Sequence, residues 1–447
     1  MTLQPDAIRA CFEGVIPGTI ATADLDATPN IAYVSQVQYI DAEHIALSYQ
    51  FFNKTRQNLL ATRYGMVMVT DPHTAAQYRM KVEFLRTERA GPLFESMKAK
   101  LAGLASHAGM SDVFQLLGAD VFRVHTLDKV PGPTLDAPPQ RRNLLTVLRR
   151  VCEQIRLNGD LEQLLAQTLA CLEHEFGIEH AMALLYDEAG QRLYTLASRG
   201  YPVSGVGSEI VLGDGVIGVA ARERTPIRIS HTTSEYSYNR AIRHSTMDAG
   251  FGVALETEIP LPGLAESRSQ LAVPVMAAQR LIGVLFVESR FDLRFSYDDE
   301  DALVTLAGQL GMAIQIMQSQ ADLGEEAPRA GTQAQSLDGE VLTIRHFPEN
   351  DSVFLGDDYL IKGVAGSIFA MLVSDSIETG RTEFTNRELR LDARIRLPDV
   401  SDNLEARLLL LSRRLTERSA PIRIEKTGRG RFRLCTDRPL RFLANCT

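Results

Sequence analysis

The sequence predicts a multidomain protein in which a small β-barrel precedes an α/β domain and a helical domain that ends in a β-hairpin. The chain has 447 residues, which is enough for roughly two to four domains. Two stretches are typical of linkers: residues 130–140 contain four prolines, and residues 321–336 are small, polar and aperiodic. We therefore expect domains at residues 1–130, 141–320 and 337–447, each with its own pattern of strands and helices.

The composition excludes several classes of protein. With 45% hydrophobic and 23% charged residues, the chain can bury sizeable cores, so we do not expect a disordered protein. No run reaches the ~18 apolar residues of a membrane span, and the first residues lack a basic-then-apolar signal. The five cysteines are scattered without a CxxC pair, which argues against a disulfide framework or a zinc site. A reducing cytoplasm is the expected location.

The net charge of −9 hides an asymmetry along the chain. Residues 405–447 contain 11 Lys and Arg against 4 Asp and Glu, so this end is strongly basic while the remainder is acidic. An Arg-rich end on an acidic protein indicates that this end meets a polyanion. A solvated basic surface is the alternative.

The first segment alternates short strands with turns. The predicted strands share partial period-two alternation and cover residues 18–23, 31–40, 45–50, 65–70 and 78–88. A basic stretch, residues 52–60, interrupts them, and residues 91–108 follow as a helix. Many short strands with one late helix favour a small barrel.

Three stretches of this segment carry a family resemblance: IPGTIATADLDATPNIAYVSQVQYID, ALSYQFFNKTRQNLLATRYGMVMVTDP and YRMKVEFL. They resemble the pyridoxamine-phosphate-oxidase-like split barrel, which implies FMN at a dimer interface. The resemblance places the flavin phosphate near Lys54, Thr55, Arg56 and Asn58, the ring near Ser35 and Gln36, and a further basic group at Arg79. A haem-binding barrel and an empty barrel are the alternatives. The catalytic extension of the oxidase is replaced by the linker, so the resemblance does not imply oxidase activity.

The middle segment begins and ends with amphipathic helices around an α/β pattern. Leu144, Val147, Leu148, Val151 and Ile155 form one apolar stripe, and Leu303, Leu306, Leu310, Ala313 and Met317 form another. Each stripe predicts either a helical dimer seam or a helix that faces the core of its own chain.

The motifs GDGVIGV, TPIRISH, SQLAVPV and LIGVLFVESRFDLRFSYDDEDALVTLA stand in the order found in GAF domains, and this segment resembles that family. Ser289 stands where cyclic-nucleotide-binding members have Asn, so no cyclic nucleotide is expected. A small-molecule pocket would lie under the loop of residues 230–254. The candidate ligand contacts on this loop are His231, Tyr236, Tyr238, Asn239, Arg240 and His244.

The last segment has a strand, three helices and a hairpin. Residues 363–379 form the first helix, and Thr385 with Glu388 makes a capping-box pattern at the start of the second. Residues 402–418 form the third helix, and two alternating strands meet at the glycines of residues 428–430.

The stretches FTNRELRLD, NLEARLLLLSRRLTER and IEKTGRGRFRL resemble the winged-helix DNA-binding domain of response-regulator type. The resemblance implies that the third helix enters the major groove while the hairpin touches the backbone or minor groove. Leu404, Leu408, Leu411 and Leu415 would face the core. The basic candidates for an exposed DNA-binding surface are Arg407, Arg413, Arg414, Arg418, Lys426, Arg429 and Arg431.

Together these patterns predict a cytoplasmic, dimeric, one-component transcriptional regulator that binds FMN or another flavin, a small-molecule ligand and DNA. The sequence contains no GxxxxGK[ST], HExxH or GxSxG motif, and we assign no catalytic or metal-binding residue. The alternatives are a flavin-dependent oxidoreductase regulated by its other domains, and a sensor scaffold whose last domain binds protein.

Overall fold

A computed structural model of the protein describes most of the chain. The described ranges are 3–14, 16–50, 53–107, 116–137, 143–155, 159–188, 190–230, 259–323, 340–395, 404–428 and 430–444. We call residues 3–137 the N-terminal unit, 143–323 the middle unit and 340–444 the C-terminal unit.

The N-terminal unit is one curled sheet of seven antiparallel strands in the order β2-β1-β5-β6-β7-β4-β3. The strands are β1 Gly18–Ala23, β2 Pro29–Val34, β3 Val37–Tyr39, β4 His44–Tyr49, β5 Tyr64–Thr70, β6 Gln77–Glu88 and β7 Gly118–Lys129. The helices are a 3-10 helix Pro5–Phe12, α1 Lys54–Thr62 and α2 Pro92–His107. The long strands β6 and β7 pair with two register shifts, and such bulges bend a sheet.

The structure divides the strand predicted over residues 31–40. β2 pairs with β1 at one end of the sheet, whereas β3 pairs with β4 at the other, so Ser35 and Gln36 lie at the crossing between them. The basic stretch of residues 52–60 is largely helical, because Asn53 caps α1 by accepting from the Arg56 backbone N–H. Strand β7 was not predicted from the sequence.

The middle unit is a six-stranded antiparallel sheet, in the order β10-β9-β8-β13-β12-β11, between two helical layers. Its strands are β8 His180–Asp187, β9 Arg192–Arg199, β10 Glu209–Val211, β11 Ile227–Ile229, β12 Ser269–Ala277 and β13 Arg280–Ser289. Helices α3 Leu144–Ile155, α4 Leu161–His174 and α6 Tyr297–Leu323 pack on one face, and α5 Gly215–Glu223 packs on the other. Successive residues of each strand therefore face two different cores, one on each side of the sheet.

The two apolar stripes lie inside this unit. Val151 and Ile155 of α3 and Leu303, Leu306 and Leu310 of α6 are at most 2% exposed and belong to one core. The buried residues of both stripes therefore face the core of their own chain, as the alternative of a core-facing helix predicts. The physical reason is that the sheet of the same chain offers an apolar face for the helices to cover. Leu144, Leu148, Ala313 and Met317 are only partly buried, and a seam between two copies stays a prediction.

The C-terminal unit contains two small sheets around three helices. Strands β14 Leu342–Phe347, β15 Ser352–Leu355, β16 Asp358–Ile361 and β20 Leu440–Ala444 form the first sheet, in the order β16-β15-β14-β20. Strands β17 Glu383–Thr385, β18 Ile422–Gly428 and β19 Arg431–Thr436 form the second, in the order β17-β19-β18. The helices are α7 Val364–Thr379, α8 Asn386–Leu391 and α9 Leu404–Glu417, and the predicted capping box of Thr385 and Glu388 is confirmed.

A buried guanidinium joins the N-terminal and middle units. Arg228 of β11 is 1% exposed and pairs with Glu13 and with Glu300 of α6. The distance from Arg228 Nε to Glu300 Oε2 is 2.7 Å. Arg228 also donates to the Phe295 carbonyl at 2.9 Å. Burial by itself lowers the pKa of Arg228, but the two carboxylates outweigh it and raise that pKa above the ordinary value.

A buried lysine stands beside this cluster. Lys100 Nζ on α2 donates to Gln38 Oε1 at 2.9 Å and to the Tyr297 hydroxyl at 3.0 Å. Burial, aided by the neighbouring Arg228, lowers the pKa of Lys100 from 10.5 to about 7. Burial also raises the pKa of Tyr297, so this hydroxyl stays protonated.

Replacing Arg228 tests how strongly the junction depends on its buried charge. Arg228→Met leaves two carboxylates without their cation, and we expect the free energy of unfolding to fall by about 3–5 kcal/mol. The control Arg280→Met removes a surface arginine 3.5 Å from Glu188, where a loss of at most about 1 kcal/mol is expected. Urea titration measures both, and equal losses would contradict the role given to Arg228.

Lys100 gives the stability of the protein a specific pH dependence. Because the folded pKa lies near 7 and the unfolded pKa near 10.5, the unfolded chain binds more protons between these values. The free energy of unfolding should therefore rise with pH in this window, by up to about 1.4 kcal/mol per unit, relative to Lys100→Met. The control Lys98→Met changes an exposed lysine on the same helix and should run parallel to the wild type. If the free energy of unfolding of Lys100→Met changes with pH in parallel with that of the wild type, the lowered pKa of Lys100 is contradicted.

Candidate functional site

A cavity of about 100 Å³ opens on the N-terminal sheet next to α1. Three of the residues predicted to hold a flavin line it, Ser35, Thr55 and Arg56, together with Tyr33, Tyr49, Gln50, Asn53 and Asp120 among others. The cavity is smaller than the roughly 300 Å³ or more of most ligand pockets. A flavin could therefore lie here only with part of its surface outside the cavity of one chain.

The arginine of this cavity already has an anionic partner. Arg56 Nη1 lies 2.5 Å from Asp120 Oδ2, and both side chains are buried. Its Nη2 donates to Thr87 Oγ1 at 3.0 Å, and its guanidinium stacks 3.9 Å from the centre of the Tyr49 ring. Sequence reasoning missed Asp120 because it lies on the strand that was not predicted. Arg56 thus orders the wall of the cavity with its own charge compensated.

The donors left for an anion lie at the start of α1. Lys54 is half-exposed, and its Nζ lies 2.9 Å from Asp24 Oδ2 at the surface. This hydrogen bond lowers the pKa of Asp24. The Thr55 hydroxyl accepts from Asn30 Nδ2 at 2.7 Å, which leaves its own proton for another acceptor. The first turn of a helix also presents backbone N–H groups, which is why anions in general bind at helix N-termini; here the Arg56 N–H is already bound by Asn53 Oδ1.

The other predicted flavin contacts are placed differently. Asn58 donates to Thr22 Oγ1 at 3.1 Å, whereas its Oδ1 is buried without a partner among the described residues. Gln36 is 1% exposed, does not line the cavity, and donates to Gln38 Oε1 at 3.3 Å. It is thereby connected through Gln38 to Lys100. Arg79 is exposed on β6 and also lies outside the cavity.

An apolar surface lies on the outer face of the same sheet. Pairing places Tyr33, Thr19, Met68 and Arg79 in one row across four strands. A second row runs through Ile31, Ala21 and Met66. The exposed fractions are 74% for Ile31 and 85% for Tyr33, which is unusual for large apolar side chains grouped together. Tyr33 also lines the cavity, so the apolar rows and the cavity adjoin.

The six ligand candidates of the middle unit, from His231 to His244, lie outside the described residues. The sheet face that carries α5 is described, and at one end it holds two buried polar side chains. Glu288 is 1% exposed and accepts the Leu264 backbone N–H at 2.9 Å. Gln270 is 3% exposed, and its Oε1 has no partner among the described residues. Sequence reasoning missed both, because they stand inside apolar strand patterns.

The arginines of α9 are only partly exposed. Of the four leucines expected to face the core, Leu404, Leu411 and Leu415 are at most 1% exposed, whereas Leu408 is only partly buried and lines a cavity. The exposure expected for Arg407 and Arg414 is wrong, since they are 6% and 5% exposed. The reason is that α9 packs against α4 and β9 of the middle unit as well as against its own unit. Burial lowers the pKa of Arg414.

The remaining basic candidates of the C-terminal unit lie nearer the solvent. Arg418 and Lys426 are exposed, whereas Arg413 and Arg431 are intermediate. Arg429 lies outside the described residues. A cavity of about 180 Å³ separates α9 from the hairpin and from α4, and Lys426 and Arg431 line it together with Glu162 and Glu405. The cavity is therefore lined by charges of both signs.

Two kinds of feature are absent from the described residues. No group of three His, Cys, Asp or Glu side chains there is placed to hold a metal ion. No helix in the described part of the chain combines the length and the hydropathy needed to cross a membrane.

Comparison with known proteins identifies the middle unit. Residues 158–315 match the family model of the GAF domain. The GAF domain of an Acinetobacter phosphoenolpyruvate-protein phosphotransferase is 26% identical over 42% of this chain and 99% of its own, with a TM-score of 0.31. A free methionine-R-sulfoxide reductase from Neisseria meningitidis, solved with its substrate, is 22% identical over 42% of this chain and 96% of its own, with a TM-score of 0.32.

A third similar structure covers a smaller share of the chain. An FMN-binding protein from Syntrophomonas wolfei subsp. wolfei is 25% identical over 28% of this chain and 86% of its own, with a TM-score of 0.25. No curated protein matches this chain. The resemblance of the middle segment is confirmed by the family model, and residues 158–315 are a GAF domain.

Proposed function

We propose that this protein is a dimeric, one-component transcriptional regulator that senses a flavin, a second small molecule, or both, and binds DNA through its C-terminal unit. The GAF domain supports a sensory role. The observation that carries the DNA-binding proposal is the order α8, α9 and then the hairpin of β18 and β19, with β17 added to that hairpin. This is the arrangement that a winged helix requires, and the same residues hold the basic excess of the chain.

Flavin binding rests on the chemistry at the start of α1. A flavin phosphate would be held by Lys54, the Thr55 hydroxyl and the backbone N–H groups of the first turn. Ser35 and Tyr33 line the same cavity, where an isoalloxazine ring would lie. Bound FMN would supply an absorbing, redox-active group there. Arg56, paired with Asp120, would hold the wall of the cavity in place.

The homodimer is supported by the apolar rows beside this cavity. Ile31, Tyr33, Met66 and Met68 would lose contact with water against a second copy of the same sheet. Because Tyr33 belongs to both surfaces, the second copy would also cover the part of a flavin that the small cavity leaves outside.

The flavin proposal predicts that affinity depends on the phosphate group. Lys54→Ala removes a charge-assisted hydrogen bond, so FMN affinity should fall by about tenfold or more, while riboflavin, which lacks the phosphate, should bind both proteins equally. Quenching of flavin fluorescence measures each affinity. The control Lys129→Ala changes an exposed lysine at the far end of β7 and should leave FMN affinity unaltered.

Two outcomes would count against this sensor. Absence of FMN binding, or an equal loss for riboflavin in Lys54→Ala, would contradict the phosphate site. Steady consumption of NADH or NADPH by the FMN-loaded protein would instead favour a flavin-dependent oxidoreductase.

The DNA-binding proposal predicts a salt-dependent complex that needs the exposed basic residues. Arg418→Ala and Lys426→Ala should each weaken binding to upstream promoter fragments and reduce the slope of log affinity against log salt by about 1, since each removes one phosphate contact. The control Arg441→Ala changes an exposed arginine on β20, away from the helix and hairpin, and should keep the wild-type slope. Gel shifts at several salt concentrations measure the slope. Equal slopes in all four proteins would contradict the assigned surface.

A further inference from the structure

We propose that the GAF domain masks the DNA-binding surface of α9, so that the protein binds DNA only when α9 leaves the GAF domain. This inference rests on the proposed DNA-binding function. It concerns a contact between two parts of the chain that lie about 200 residues apart, and three arginines of α9 take part in it.

The contact is centred on a buried ion pair. Arg407 Nη2 lies 2.6 Å from Asp187 Oδ1, at the end of β8, and both side chains are at most 7% exposed. The Arg407 guanidinium also stacks 5.5 Å from the centre of the Tyr194 ring on β9. Burial and the carboxylates of Glu209 and Asp187 raise the pKa of Tyr194 to about 12, so this hydroxyl stays neutral. Arg407 is thus enclosed by GAF residues and cannot reach a DNA phosphate from this position.

The next turns of α9 continue the contact. Arg413 Nη1 donates to the Leu196 carbonyl of β9, and its Nε lies 3.6 Å from Glu162 on α4. Arg414 packs over Gly207, where a Cβ would lie 3.2 Å from its Cδ. Glu417 accepts a hydrogen bond from Ser204 of the GAF domain. GAF partners thus occupy the guanidinium groups of Arg407 and Arg413, whereas the Arg414 guanidinium is hydrogen-bonded within its own unit, to the Leu360 carbonyl and to Glu417.

A second ion pair lies beside this surface. Lys362 of the C-terminal unit stands 3.3 Å from Glu209, which also pairs with Arg192 on β9. The GAF side of the contact therefore presents carboxylates to the cations of the C-terminal unit, as a phosphate backbone would. Acidic GAF residues and DNA compete for the same cations, and both cannot hold them at once.

The competition has a simple thermodynamic form. If only a fraction of molecules has α9 released, the apparent dissociation constant for DNA is the intrinsic constant divided by that fraction. Replacing Asp187 should change the fraction of molecules with α9 released more than replacing another residue of the contact. Without Asp187, Arg407 is buried and unpaired when α9 is docked on the GAF domain, but it is hydrated when α9 is released. Among the described residues the side chain of Asp187 accepts a hydrogen bond from Arg407, so its replacement acts on the contact between α9 and the GAF domain.

The test compares full-length wild type with Asp187→Asn on a mixed-sequence DNA duplex of about 30 base pairs at low salt. Asp187→Asn should bind the duplex about tenfold more tightly or better, and hydrogen exchange of residues 404–417 should accelerate. The matched control is Glu188→Gln, which removes the same charge one residue further on, from a side chain that is 70% exposed and pairs with Arg280. It should match the wild type in both measurements.

A second variant tests the masking independently, in case Asp187→Asn does not fold. Glu162→Gln changes a side chain that is 60% exposed and removes one of the two GAF partners of Arg413, so a smaller gain in DNA affinity is expected. Faster exchange of residues 404–417 in Asp187→Asn with unchanged DNA affinity would overturn the masking. Unchanged exchange and affinity in both Asp187→Asn and Glu162→Gln would overturn it too. If neither wild type nor any variant binds the duplex, DNA binding itself is wrong and the inference falls with it.

Discussion

The arrangement of the first two units depends on one buried guanidinium. Arg228 comes from the GAF sheet, whereas its carboxylates come from the N-terminal unit through Glu13 and from the start of α6 through Glu300. A buried charge of this kind is stable only when all its partners are present, so the junction tolerates little relative movement. Since α6 is also the longest helix of the GAF domain, the junction fixes one end of the element that spans its core.

Local features of the chain could be predicted from the sequence because neighbouring residues determine them. The capping box at Thr385 depends on two side chains three residues apart, and the apolar stripes of α3 and α6 depend on helical periodicity. The GAF motifs likewise occur in a fixed order within one segment, and the family model confirms them. In contrast, periodicity could not decide whether a stripe faces the same chain or a second copy.

Contacts between distant parts of the chain could not be predicted in this way. Arg407 was expected to be exposed because the leucines of α9 already face their own unit, but a second surface, from the GAF domain, covers the flank of the helix on which Arg407 lies. Asp120 escaped notice for a related reason, since its partner Arg56 lies 64 residues earlier. A single sequence shows the periodicity of a helix and not how many neighbours it has.

One apolar core runs without a break from Val147 of α3 to Leu434 of β19. During synthesis the N-terminal parts of a chain fold first, so the GAF domain would form before α9 has left the ribosome. The surface of α4 and β9 that α9 later covers would then stay in water until α9 emerges. Chains truncated before α9 would keep this surface of α4 and β9 exposed to water. Their solubility would then depend on whether another protein surface covers it.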